Sequence, residues 1–134
     1  NIGTAVIVLI TIAAMVFSAV LLFTGDVKVL IRDDMLEIQG SFWSDYELPL
    51  SEIRTVTYRE DFETGRKRVG VNSLQLNEGT FQNSEFGEYT IYSYARCEDF
   101  VVMETTDGVL AVNGKTPEET RTLYEKILAA AGLE

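Results

Sequence analysis

The chain has 134 residues, 21 acidic against 11 basic side chains, a net charge of −10, no histidine and one cysteine. The missing histidine removes the commonest general base and metal ligand, and a lone cysteine can build neither an internal disulfide nor a structural zinc site. The acidity argues against nucleic acid and against broad adhesion to anionic lipid, both of which call for basic surface.

All charge falls after residue 25. Residues 2–24 are an uncharged run broken only by Gly3, Thr4, Thr11, Ser18 and Thr24. About 20 apolar residues in a helix cross a hydrocarbon core of about 30 Å, so residues 1–25 are expected to form a transmembrane helix with 2–24 in the bilayer. A secretory signal is the alternative, but its apolar region is usually shorter, and no small-x-small cleavage site follows Leu21-Leu22-Phe23. The first residue is Asn1 rather than Met, which points to a segment upstream, where the basic flank that sets orientation or another membrane segment would lie. Lys28 and Arg32 are the only basic residues before Arg54. So thin a flank points to a domain outside the cytoplasm, at the cell membrane. Thr4, Thr11 and Ser18 recur every seven residues, with Ala14 four before Ser18. Small residues so spaced let helices approach, which offers a seam for self-association; the alternative is hydroxyls bonded to their own helix carbonyls.

Residues 26–134 suffice for one core and form the second domain. Their period is mostly two. Val27, Val29 and Ile31 alternate up to a turn at Asp33-Asp34, and Leu36 and Ile38 alternate up to Gly40-Ser41. Tyr46, Leu48 and Leu50 follow, with Pro49 marking an edge strand. Val56 and Tyr58 mark the next strand. Residues 61–86 read as loop, with Gly65, Gly70, Gly79 and Gly87 as turn formers. Tyr89 and Ile91 then share one strand face and Tyr92 and Tyr94 the other, so some tyrosines should be exposed. Phe100 to Met103 and Val109 to Val112 flank an Asp107-Gly108 hairpin signal, which brings the count to seven strands. Thr116-Pro117-x-Glu119 is a helix start with a capping box, Leu123, Ile127 and Ala131 form its apolar face, and Gly132 ends it. The helix should close one end of a small barrel or sandwich.

Seven strands and one closing helix, with Val29-x-Ile31-x-Asp33-Asp34-x-Leu36-x-Ile38-x-Gly40, Leu48-Pro49-Leu50-Ser51-Glu52-Ile53, Thr106-Asp107-Gly108 and Glu118-Glu119-Thr120-x-x-Leu123-Tyr124, resemble a bacterial pleckstrin-homology-like domain family usually attached to membrane segments. The resemblance covers nearly all of 27–128. It implies a mainly β, pleckstrin-homology-like seven-stranded barrel or sandwich with one C-terminal α-helix, here preceded by a transmembrane helix. It also implies a binding or scaffolding module with no common catalytic set, while the residues themselves, with no calcium-loop spacing and no phosphate-cradling loop, lead to the expectation of no metal and no cofactor. Relatives by fold hold inositol phosphates between the first two strands. Here that turn is Arg32-Asp33-Asp34-Met35, whose carboxylates would repel phosphate.

The single basic spot is Arg66-Lys67-Arg68, with Arg59 near. It is the candidate contact for lipid headgroups or an acidic protein partner, since Arg forks suit phosphate and carboxylate. The alternative is a solvated loop paired with Glu60, Asp61 and Glu63. Cys97 lies between strands as a spectator and a possible labelling handle. Trp43 and Tyr46 sit near the second turn, where either can meet a membrane interface or pack in the core. In this superfold the edge strand and terminal helix can also take a peptide by strand addition. The expected role is a non-catalytic interaction module that binds a protein partner at a membrane surface, with lipid-headgroup binding through the basic loop as the alternative.

Overall fold

The computed structural model describes residues 1–23 and 26–133, with side chains for 1–16 and 26–133. Helix α1 spans Ile2–Phe23, 22 residues. Asn1 caps it by accepting the Thr4 N–H at 2.8 Å. Every described side chain of α1 is exposed. Those described cover residues 2–16, about 22 Å of helix, short of the hydrocarbon thickness of about 30 Å. Among the described residues no helix is long and apolar enough to cross a membrane.

Among the described residues nine strands follow, not seven. They are β1 (Lys28–Arg32), β2 (Met35–Gln39), β3 (Tyr46–Pro49), β4 (Ile53–Arg59), β5 (Arg66–Asn72), β6 (Leu76–Asn83), β7 (Gly87–Tyr94), β8 (Phe100–Thr105) and β9 (Gly108–Val112), and helix α2 spans Pro117–Ala130. The two additional strands are β5 and β6, in the stretch read as loop. Gly65 (φ 79°) lies in the β4–β5 connection and Gly87 (φ 70°) directly follows the β6–β7 turn, as turn formers do, but Gly70 and Gly79 are not turns between strands. Gly70 and Gly79 lie opposite each other inside an antiparallel pair, at φ 132° and 122°. A Cβ on either would run into the facing backbone. These two glycines allow the strands to cross closely.

β1, β2 and β3 form one antiparallel sheet in that order, so β3 is an edge as Pro49 required. The other sheet runs β4-β8-β9-β7-β6-β5, with β7 and β9 parallel and the remaining pairs antiparallel. Asp33 and Asp34 both take left-handed φ, 49° and 65°, and close β1–β2 as a two-residue turn with Arg32 opposite Met35. The β8–β9 turn centres on Thr106 and Asp107, one residue before the expected pair, because the Thr105 hydroxyl accepts the Asp107 N–H and donates to the Gly108 carbonyl.

The two sheets face each other over Leu36, Ile38, Leu48, Leu76, Tyr92, Val101, Met103, Leu110 and Val112, with Ile127 of α2 completing this core. The opposite face of the larger sheet carries a second, aromatic core of Phe81, Tyr89, Ile91, Phe100, Val102 and Ala111. Phe62, from the β4–β5 connection, covers it at 5.1 Å from Phe100 and 5.9 Å from Tyr89. The tyrosines alternate across β7 as read, but burial on both faces leaves Tyr89, Tyr92 and Tyr94 at 3%, 2% and 7% exposure. The expectation of exposed tyrosines there is overturned.

Helix α2 starts as its sequence predicts. The Thr116 hydroxyl accepts the Glu119 N–H at 3.1 Å and Pro117 holds the first helical position. The reciprocal half of the capping box is shifted by one residue, since Glu119 accepts from the Lys115 N–H rather than from Thr116. At the other end Gly132 (φ 70°) donates to Ala129 and Leu133 to Leu128, a Schellman ending. Ile127 is buried, with Leu123 and Ala131 packed beside it. Tyr58 of β4 meets Tyr124 edge-on at 5.7 Å beneath the Arg121 guanidinium, which lies 3.7 Å from the Tyr58 ring. These contacts pin α2 to β4.

Candidate functional site

Arg66, Lys67 and Arg68 open β5, which is the outer strand of the larger sheet. They lie on a strand, not on the loop expected. All three are exposed, as is Val69 after them. A bulge between Lys67 and Val69 interrupts the pairing with β6 at Arg68. Arg68 reaches Glu88 at 3.3 Å. Arg66 and Lys67 have no carboxylate partner among the described residues. The expected pairing with Glu60, Asp61 and Glu63 does not form. The strand carries the cations toward β6 and β7 instead, where Glu88 stands opposite Gln82.

Arg59 is not a free cation. It makes a two-pronged contact with Glu85, both bonds 2.9 Å, and lies over the Phe62 ring at 5.4 Å. The hydrogen bond to the Glu85 carboxylate raises the pKa of Arg59, and the same bond lowers that of Glu85. It therefore serves the lid over the aromatic core and does not join the basic run. A hollow of about 330 Å³ lies beside Arg66, lined also by Glu63, Gln82 and Asn83. Asn83 is tied down there, donating to the Glu63 carbonyl and accepting the Phe86 N–H.

The second candidate region is the β2–β3 connection, residues 40–45. Phe42 and Trp43 are each 37% exposed. Tyr46 is half-buried, 6.3 Å from Tyr92. Two contacts hold this connection from beneath. The Tyr92 hydroxyl donates to the Ser44 carbonyl at 2.6 Å, and Glu78 of β6 accepts the Phe42 N–H at 3.4 Å. Glu78 is fully buried, and its Oε2 has no hydrogen-bond partner. Burial pushes its carboxyl pKa up, and the charge of Asp45 pushes it further, against the pull of the Phe42 and Ser41 N–H groups. Burial likewise raises Tyr92 to about 12, with Glu78 and Asp45 adding to it. Sequence reading passed over Glu78, although its signal was present. It is in phase with Leu76 on a strand whose inward face is set by period two.

The connection is also tied to the start of the domain. The Ser41 hydroxyl accepts the Asp26 N–H and donates to the Asp26 carbonyl, both at 2.7 Å. The Tyr94 hydroxyl accepts the Val27 N–H at 3.0 Å and Lys115 lies 3.7 Å from Asp26. No single one of these contacts is visible in the local sequence, since they join residues 15 to 89 apart.

Other candidates resolve simply. Cys97 is buried, 3.6 Å from the Thr120 hydroxyl, so it offers no labelling handle in the folded state. Thr4, Thr11 and Ala14 are exposed on α1, and the Thr11 hydroxyl donates to the Ile7 carbonyl at 2.9 Å, the self-bonding alternative. The Ser18 side chain lies outside those described. A hollow of about 440 Å³ separates Asp33 and Asp34 from the end of α2. Among the described residues no His, Cys, Asp and Glu side chains are grouped to hold a metal ion.

A mainly β domain closed by one C-terminal helix, with its polar groups spent on tying strands together, is a pleckstrin-homology-type sheet fold. The chain belongs to the bacterial PH domain family, whose model matches residues 27–128. No curated protein and no solved structure matches the chain significantly. Domains of this type are generally non-catalytic interaction modules, although fold by itself assigns no partner.

Proposed function

We propose that the protein is a non-catalytic interaction module, anchored in the cell membrane by α1, which binds a protein partner along the free edge of β5. The anchor reading rests on 22 helical residues without a charge, about 33 Å in length, and on the exposed apolar side chains Ile2, Ile7, Leu9, Ile10, Met15 and Val16. The partner reading rests on one observation. Three cations sit together on an outer strand of a chain with net charge −10, and two of them lack a carboxylate partner among the described residues. An extended acidic segment can add to such an edge through backbone bonds and meet the cations with its side chains. The bulge at Arg68 restricts which strands fit, and so favours one partner over indiscriminate pairing.

Headgroup binding by the same cations is the second reading. Its weakness is position. Glu78, which holds Phe42 beside the start of the domain, pairs with Val71, whereas Arg66 pairs with Gln82 four residues further along β6. At about 3.3 Å per residue this places Arg66 roughly 13 Å farther along the strand from the anchor's attachment.

A photo-crosslinking residue at position 67 of the full chain, in native membranes, tests both. A cross-linked protein that disappears with Arg66→Glu and Arg68→Glu supports the proposal. Cross-links to lipid alone, or protein cross-links indifferent to charge reversal, overturn it.

A further inference from the structure

We infer that the 40–45 connection docks on the bilayer itself beside α1, with Phe42 and Trp43 seated at the lipid–water interface. The inference rests on the anchor reading of α1 and adds a second point of contact, built by the domain.

Covalent reach comes first. Phe23 closes α1 and Asp26 is three peptide steps later, so their Cα atoms are at most about 11 Å apart. Asp26 is bonded twice to Ser41, and Phe42 and Trp43 follow directly. The two rings are thereby held close to the end of the helix, whatever path the chain takes between.

Chemistry comes second. Phe42 and Trp43 are the only adjacent pair of exposed large apolar side chains in the described part of the domain; Val69, Leu74 and Leu133 stand singly. The connection holds two serines, one acid and no cation. It therefore has nothing with which to grip a phosphate, and much to gain from an interface that accepts aromatic rings. The interfacial layer on each side of the hydrocarbon is several ångströms deep, enough for one ring. A net charge of −10 disfavours anionic lipid, so the matching surface is a zwitterionic bilayer.

Rigidity comes third. Tyr92 and Glu78 bond the backbone at Ser44 and Phe42 from inside. A Cβ at Gly40 would collide with the Glu78 carboxylate and crowd the Trp43 carbonyl at 3.1 Å. The backbone is thus drawn down onto the sheet while the two rings remain partly exposed. Such a preset shape loses little entropy on docking.

Trp43 is the only tryptophan in the chain, so its fluorescence reports this position alone. The full chain is reconstituted in phosphatidylcholine vesicles with or without bromine-labelled acyl chains, and flotation is measured on the same samples. The expected result is flotation with the vesicles, a blue-shifted Trp43 emission, and loss of most of that emission with brominated lipid. Flotation with emission that brominated lipid leaves unchanged overturns the docking and spares the anchor. Failure to float overturns the anchor and the docking with it. Quenching that appears only when anionic lipid is added overturns the zwitterionic assignment in favour of headgroup recognition.

Discussion

Glu78→Gln is expected to stabilise the domain at neutral pH and to leave its stability unchanged in acid. The wild-type carboxyl is fully buried, holds one long bond to the Phe42 N–H at 3.4 Å and has an unpartnered Oε2. Burial and Asp45 both raise its pKa in the folded state. A carboxyl whose pKa is raised by folding binds its proton more tightly in the folded chain than in the unfolded one. Its contribution is therefore most favourable below the ordinary carboxylate range, declines as pH rises from there through the raised folded value, and is constant above it. Each pH unit between the two values is worth about 1.4 kcal/mol. An incompletely satisfied buried polar group of this kind costs about 1–3 kcal/mol, and glutamine has the same shape without the charge. For a domain of this size, about 1 kcal/mol moves Tm by roughly 4 °C or more. Circular dichroism melts of both chains, in the same detergent between pH 4 and pH 8, provide the measurement. Their difference cancels the other acidic groups. Melting temperatures that converge at pH 4 and separate in favour of the variant at pH 8 are expected. A difference that does not vary with pH, or a variant less stable throughout, refutes the reasoning.

Gly79→Ala should cost about 2–5 kcal/mol, because its φ of 122° disfavours a side chain and the new methyl meets Val69 and Gly70 backbone; chemical denaturation reads it. Ile127→Ala should cost about 2–5 kcal/mol in the same assay, since the side chain is fully buried between α2 and the sheets. Cys97 should resist maleimide in the folded protein and react in denaturant; rapid labelling without denaturant would contradict its burial against Thr120.

The legible parts of the fold were those set by near neighbours. Thr116, Pro117 and Gly132 placed both ends of α2, because capping is an interaction over three to five residues. Asp33-Asp34 placed the first hairpin, because few residues accept left-handed φ twice in succession. Residues 61–86 were misread because glycine gives the same local signal for a turn and for two strands crossing at close range. Only the facing strand distinguishes them. The basic run was found in the sequence and its setting was not. Arg59 turned to Glu85, 26 residues away, and Arg68 to Glu88, 20 away.

The amino-acid sequence by itself determined an uncharged opening helix, an acidic β-rich domain and the closing helix, since each is carried by composition, period or short-range capping, and the order of its motifs carried the family resemblance. Tertiary structure alone decided which charges are spent and which side chains face out. The tyrosines of β7 went inside because both faces of that sheet are covered. Glu78 was buried beneath Gly40, and Ser41 was fastened to Asp26, across separations that no local pattern encodes. Side-chain partnership across a sheet depends on register and on what packs above it, and both are settled only when distant strands meet.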